Sequence, residues 1–317
     1  MGRMAHAIVY TEIGTPDVLH LTEIPEPVAG PGEVVVRIEA AGVNPLDAKL
    51  RRGARPSPPI VEPRRVGFDG AGVVAGLGEG VTGFAIGDRV VVDNVLGTYA
   101  SALAVPVSKL FRLSDGVTMA EGAALGIPVG TAYQCLRSLE VAKGDTLLVH
   151  AGSGAVGQAA VQYAVLWGAR VIATGSPGRF DQLRALGAEP VAYGEGLTER
   201  VREVAPGGVT VALDCAGTDE AIRTSLDLVD DRDRIATIVR GPDAADFGIR
   251  AFSGGSPVPL TEEEQAWRQE AIPLTINLIE AGDFQVELGP ELPLAEAARA
   301  HELIERHAAD GKIILIP

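Results

Sequence analysis

The segment His150-Ala151-Gly152-Ser153-Gly154-Ala155-Val156-Gly157 constrains this chain more than any other. Its glycines at 152, 154 and 157 have the GxGxxG spacing. They follow the apolar strand run Thr146–His150 and open an apolar-periodic helix, Gly157–Trp167. A glycine turn between a strand and a helix is built to hold a dinucleotide. Gly152 permits the tight turn, Gly154 lets a pyrophosphate approach the backbone, and Gly157 lets helix and strand pack closely. Ser153, Ala155 and Val156 complete the turn, and the unpaired N–H groups of the helix start face the phosphates.

The surroundings support that reading. From about Met119 the chain alternates strands and helices: strand 170–174, helix 180–186 ended by Gly187, strand 191–193, helix 197–204, strand 209–214, helix 221–228 opened by Thr218, and strand 234–239. Regular alternation predicts a doubly wound parallel α/β sheet. The first third is different. Valine-rich runs such as Glu33–Ile38 and Asp88–Val92, punctuated by glycine and proline, predict a compact β-rich domain. Thr261 and Glu264 form a capping box for a helix that Pro273 should kink or divide. The tail reads as helix over 294–307 and strand over 312–316. The expected division is 121–254 for the dinucleotide-binding domain, with 1–120 and 255–317 forming a second, split domain.

The second strand of the alternation ends Thr174-Gly175-Ser176-Pro177-Gly178-Arg179. An NAD site usually places Asp or Glu here for the ribose 2′-hydroxyl. This chain has none, while Ser176 and Arg179 can bind a 2′-phosphate, so the expected cofactor is NADPH.

Charge and cysteine content exclude other classes. The net charge of −15 repels phosphate backbones and anionic lipid, so neither nucleic acid nor a membrane surface is an expected partner. No apolar run approaches a membrane span, and residues 1–11 lack the apolar core of a signal peptide. Cys135 and Cys215 are too few and too far apart for a multi-cysteine zinc site, and they suit a reducing compartment. A cytoplasmic location follows as the expectation.

Several spaced motifs, in order along nearly the whole chain, resemble the quinone oxidoreductase (ζ-crystallin-like) branch of the medium-chain dehydrogenases/reductases. They are Ala41-Gly42-Val43-Asn44-Pro45-Leu46-Asp47 through Arg51-Arg52-Gly53, then Gly67-Phe68-Asp69-Gly70-Ala71-Gly72, Gly87-Asp88-Arg89-Val90, Gly97-Thr98-Tyr99-Ala100, Gly122–Pro128, Thr131-Ala132-Tyr133, and Pro293 through His301 to Gly311-Lys312-Ile313. The resemblance implies a GroES-like catalytic domain split around the Rossmann domain, and commonly a homodimer pairing Rossmann edge strands, here around 249–252. It implies Asn44 near the nicotinamide ribose or acceptor and Thr131 facing the nicotinamide. Ser176, Arg179 and Tyr193 would hold the 2′-phosphate. Ala216, Gly217, Val239, Arg240 and Gly241 would line the cofactor, and Phe252 and Ser253 would lie beside the carboxamide. Core packing accounts equally well for Thr131 and Phe252, and Tyr193 also reads as a strand aromatic. Lys49 stands where such reductases often have Tyr, and the stretch 243–259 is unlike better-known members.

Zinc alcohol dehydrogenases of the same superfamily place Cys, His-Glu and Cys around a metal. Here the corresponding places hold Asn44, Phe68-Asp69 and the Gly126-Ile127 region, so the expected enzyme is free of zinc. Without a Lewis acid, reduction of an activated carbonyl remains accessible, because hydrogen-bond donors can stabilise the charge developing on oxygen. Asn44, Lys49 and Tyr99 are the candidate donors; for Lys49 a solvated surface role fits as well. His150 reads as structural. The expected function is NADPH-dependent reduction of a quinone. An enone or enoyl reductase, and a low-turnover NADPH-binding structural or sensor protein, are the alternatives.

Overall fold

The computed structural model describes residues 4–55, 57–252 and 258–317. They fall into two compact units, one of Met1–Ile127 with Ile272–Pro317 and one of Pro128–Ala271.

The first unit is β-rich. In chain order it contains β1 (Met4–Tyr10), β2 (His20–Pro25), β3 (Glu33–Gly42), helix α1 (Pro45–Arg51), β4 (Arg64–Arg65), β5 (Asp69–Leu77), β6 (Arg89–Val92), β7 (Ala102–Pro106) and β8 (Leu110–Arg112). Helix α2 (Met119–Ser138) leads out of it. The chain returns in α8 (Glu262–Ala281), followed by β15 (Leu288–Pro293), α9 (Ala297–Glu305) and β16 (Lys312–Ile316). One sheet runs β15-β16-β3-β5-β6-β8, with β7 also paired to β3; a smaller one runs β2-β1-β4. The long strand β3 alternates large apolar residues inward, Val34, Val36 and Ile38, and these pack with Val90, Val92 and Tyr99. Leu292, Leu294, Ile313 and Leu315 belong to the same core. The returning tail is therefore a structural part of this unit, because its apolar residues have no other core to enter.

The second unit is a six-stranded parallel sheet in the order β11-β10-β9-β12-β13-β14. The strands are β9 (Thr146–His150), β10 (Arg170–Gly175), β11 (Glu189–Ala192), β12 (Val211–Asp214), β13 (Ile235–Thr237) and β14 (Arg250–Ala251). The connecting helices are α3 (Ala155–Leu166), α4 (Phe180–Ala185), α5 (Leu197–Val204), α6 (Asp219–Leu228) and the short α7 (Ala244–Phe247). Strand order reverses between β9 and β12, the switch point at which open α/β sheets bind ligands. Leu148, Ile172, Val191, Ala212 and Ile235, one from each of five strands, are buried with Leu197, Val201 and Ile222 from the helices.

Two local details differ from expectation. Of the kink or division expected at Pro273, division does not occur: Pro273 lies inside α8, which runs unbroken over Glu262–Ala281. Its start is held by the expected capping box, in which Thr261 N donates to Glu264 and Glu264 N to Thr261 Oγ1. The strand expected over 191–193 is Glu189–Ala192 instead, which leaves Tyr193 outside it.

Candidate active site

The glycine turn is tied to the neighbouring strand β10. Ala151 reverses the chain with φ 54. Gly152 N donates to Thr174 O at 2.8 Å and Ala151 N to Thr174 Oγ1 at 3.0 Å, tying the turn to the end of β10. A Cβ on Gly157 would lie 2.3 Å from Ala151 O, and one on Gly152 would lie 2.6 Å from the Ala173 Cβ. Both glycines are thus required by packing. Gly154 differs: it is the N-cap of α3, and the nearest atom to a Cβ there is Ala151 O at 3.5 Å. Space at Gly154 is open on the side where the helix N–H groups have no partner within the helix.

The tip of β10 carries no acid. Ser176 caps the single turn Pro177–Arg179, and Arg179 is half-buried. Tyr193 is 62% exposed directly after β11. Its loop is held by Arg200, a residue the sequence did not single out. The Arg200 guanidinium donates to the carbonyls of Ala192, Gly194 and Glu195 at 2.6–3.1 Å.

Thr131, on α2 within the same unit, is buried, and its hydroxyl has no hydrogen-bond partner. A buried unpaired hydroxyl costs about 1–3 kcal/mol. The glycine turn and this hydroxyl fit a nicotinamide dinucleotide, which has both phosphates and a polar carboxamide to offer. Along the other strand ends, Asp214 accepts from Ala216 N, Gly217 N and the Thr237 hydroxyl at 2.7–2.9 Å. Thr237 Oγ1 in turn accepts from Val239 N and Arg240 N. Arg240 bridges Asp219 and Asp243, and Gly241 is buried. Asp214 and Thr237 therefore shape both loops, although neither was legible as a site residue. Phe252 is buried, donates its N–H to Thr237 O and packs under Arg250; Ser253 lies outside the described residues. His150 is buried with Nε2 3.0 Å from Ser225 Oγ, and burial pulls its pKa down to about 4, so it is a neutral structural imidazole at pH 7.

In the β-rich unit, the Asn44 motif opens a buried polar network. Asn44 caps α1, and its N–H donates to Asp47 Oδ2 at 2.8 Å. Its amide donates to Asp69 Oδ2 at 2.9 Å and accepts from Lys312 Nζ at 2.5 Å. Lys312 Nζ also lies 3.6 Å from Asp69. Ile127 N donates to Asp69, and a Cβ on Gly126 would lie 2.1 Å from Asp69 Oδ1, so that glycine makes room for the carboxylate. The Tyr99 hydroxyl donates to Asp47 Oδ2 at 2.9 Å and lies 3.4 Å from His301 Nε2. Burial raises the pKa values of both carboxyls, Asp47 to about 7, and lowers that of Lys312 against the attraction of Asp69 and Asp47.

Asn44 and Tyr99 were expected to offer donors to an acceptor. In the structure both are buried, and these donors are engaged by Asp69 and Asp47. Lys49 is half-buried on α1, and burial, then Arg55 and Arg52, lower its pKa. Asp47, Asp69, His301 and Lys312 are the members the sequence reading missed. Their only signal was membership of the family motifs. Among the described residues, no group of three His, Cys, Asp or Glu side chains is placed to hold a metal ion.

Known proteins resemble the chain along its length. Residues 30–115 match the alcohol dehydrogenase GroES-like domain and residues 155–253 the zinc-binding dehydrogenase family. A quinone oxidoreductase from Pseudomonas aeruginosa is 34% identical over 332 aligned positions, covering 99% of this chain and 100% of that one. The crystal structure of Escherichia coli quinone oxidoreductase complexed with NADPH superposes with a TM-score of 0.85 at 29% identity, covering 98% and 100% of the two chains. A mycobacterial protein solved in complex with NADPH gives 0.84 at 31% identity, covering 99% and 100%.

Proposed function

The chain belongs to the quinone oxidoreductase family of zinc-free medium-chain dehydrogenases/reductases, and from that premise we propose how its residues carry out NADPH-dependent reduction of a quinone. The observation that carries the reading is the glycine turn between β9 and α3, followed by a β10 tip without an acid. When bound, NADPH supplies the hydride. The α3 N-terminus receives the pyrophosphate at Gly152, Ser153, Gly154, Ala155, Val156 and Gly157. Ser176, Arg179 and Tyr193 take the 2′-phosphate, and Thr131 faces the nicotinamide. Ala216, Gly217, Val239, Arg240 and Gly241 line the remainder, with Phe252 beside the carboxamide.

Reduction places negative charge on the acceptor oxygen, where a fixed donor or cation lowers the barrier. Lys49 serves as that group; among the described residues, no carboxylate lies within ion-pair distance of it. Asn44 and Tyr99 act through the network with Asp47, Asp69 and Lys312, which sets the start of α1 and thus the position of Lys49. We also propose a homodimer and a cytoplasmic location. The lone strand β14 at one edge of the sheet supports the first, and two free cysteines support the second. No helix of the described residues is long and apolar enough to cross a membrane. The strongly negative charge supports a small-molecule acceptor rather than nucleic acid.

Steady-state oxidation of NADPH with matched panels of quinones and enones tests the reading. Quinones should turn over and simple enones should lag; turnover of enones alone would move the assignment to an enone reductase. Arg179→Ala should weaken NADPH about tenfold to a hundredfold, since only NADPH carries the phosphate, and should leave NADH nearly unchanged. Equal losses for both cofactors would make Arg179 a support of the fold.

A further inference from the structure

Between Ala48 and Phe68 the chain carries six cations, Lys49, Arg51, Arg52, Arg55, Arg64 and Arg65, against one acid, Glu62, although its net charge is −15. Arg51 and Arg52 are answered by Glu305, at 2.7 and 3.7 Å. Among the described residues, no carboxylate lies within ion-pair distance of Lys49, Arg55, Arg64 or Arg65. Two of these charges meet in one cavity. Arg64 and Arg65 line a cavity of about 310 Å³ that also includes Asp47 and Leu50 of α1, with Tyr10 and Phe68 as aromatic wall.

The two arginines are braced without being neutralised. Arg64 donates to Ser57 Oγ at 3.0 Å and Pro58 O at 2.6 Å, and Arg65 donates to Gly97 O at 3.1 Å. Arg65 Nε is buried and has no hydrogen-bond partner. A guanidinium half-removed from water with no counter-charge is costly unless an oxyanion supplies one. Among the described residues of the lining, Asp47 is the one acid. Its carboxyl, pushed up to about 7 by burial, would be driven further toward the neutral form by a bound anion.

We propose that this cavity binds an oxyanion carried by the acceptor, so that the preferred substrates are quinones bearing an acidic substituent. The ring lies between the aromatic wall and Leu50 of α1, and the charged group meets Arg64 and Arg65. The inference rests on the quinone-reductase reading for its chemistry and on the cavity for its selectivity.

The test compares a naphthoquinone carrying a propionate side chain with its methyl ester, using the full-length enzyme and NADPH. The acid should have a kcat/KM about tenfold higher, mostly through KM, and the advantage should shrink as salt is raised. Arg65→Gln and, separately, Arg64→Gln should each lower the acid-to-ester ratio several-fold. Two variants are used because either alone could disturb β4. Calorimetric titration of both compounds into the NADPH-free enzyme reads the cavity without turnover. Tighter binding of the acid supports the proposal even if neither compound is reduced, a result that would count against the quinone-reductase reading alone. Equal binding of acid and ester, or an acid preference unmoved in both variants, overturns it. A phosphate in place of the propionate distinguishes the oxyanion sources: tighter binding than the propionate assigns the cavity to phosphorylated acceptors.

Discussion

At the scale of single residues, the buried network around Asn44 has the largest consequences. Lys312 and Asp69 are both buried and share Asn44 as a hydrogen-bond partner. Removing one member of a buried pair costs about 3–5 kcal/mol, because the other charge stays uncompensated. Lys312→Met should therefore lower stability by that order, and adding Asp69→Asn should recover part of the loss, as denaturant titration of the two variants would reveal. If the double variant is no better than the single, the two charges are not coupled. None of this was legible in the sequence. Asn44, Asp69 and Lys312 come from three distant segments, and local patterning cannot report which polar residues meet inside a core.

Two residues of the same network give opposite pH dependences. His301 is held neutral to about pH 3, first by burial and then by Arg51, while an unfolded histidine takes a proton near 6.5. Between those values the unfolded state binds more protons, so this group makes stability fall as pH is lowered. Asp47 keeps its proton in the folded state to about pH 7, whereas the unfolded carboxyl loses it near 4. Between those values the folded state binds more protons, so this group makes stability fall as pH is raised. From about pH 4 to 6.5 the two slopes oppose one another, each at most about 1.4 kcal/mol per pH unit. In chemical denaturation across that range, His301→Gln should tilt the stability profile downward with rising pH relative to wild type. Asp47→Asn should tilt it upward. Parallel profiles for all three proteins would show that neither group is shifted.

At the scale of elements, alternation made the Rossmann unit legible. β9, α5 and β16 have their expected ends, and others differ by a few residues, because each pattern is local and ends at glycine, proline or a cap. Tyr193 escaped because the end of β11 is set by pairing with β10, which stops at Ala192. The turn between β9 and α3 allows a test that separates packing from binding. Gly157→Ala would force α3 away from Ala151, so it should cost about 1–3 kcal/mol of stability and weaken NADPH as well. Gly154 has φ −77, which alanine adopts readily, and an added methyl meets nothing closer than 3.5 Å. Gly154→Ala should melt like wild type yet bind NADPH more weakly. Unchanged affinity in that variant would mean that the pyrophosphate does not approach the turn.

For the whole molecule, the proposed homodimer turns on the edge of the parallel sheet. Among the described residues β14 pairs only with β13, through Ala236 with Arg250 and Thr237 with Ala251. Its far side has no strand neighbour among the described residues. Phe252 N donates inward to Thr237 O, so the alternation of a parallel strand turns the Ala251 N–H outward. An outward donor on an edge strand is the group a second copy of the strand would use. Proline at 251 removes that donor while leaving the inward N–H of Phe252 in place, the position at which a strand tolerates proline. Ala251→Pro should therefore shift the protein from dimer toward monomer and leave NADPH affinity near that of wild type. Light scattering over a dilution series decides between three outcomes. A wild type that is monomeric at every concentration ends the dimer proposal. A dimer that survives the substitution places the interface on another surface. A dimer lost only in the variant assigns it to β14, because the changed group makes no contact that the monomer needs.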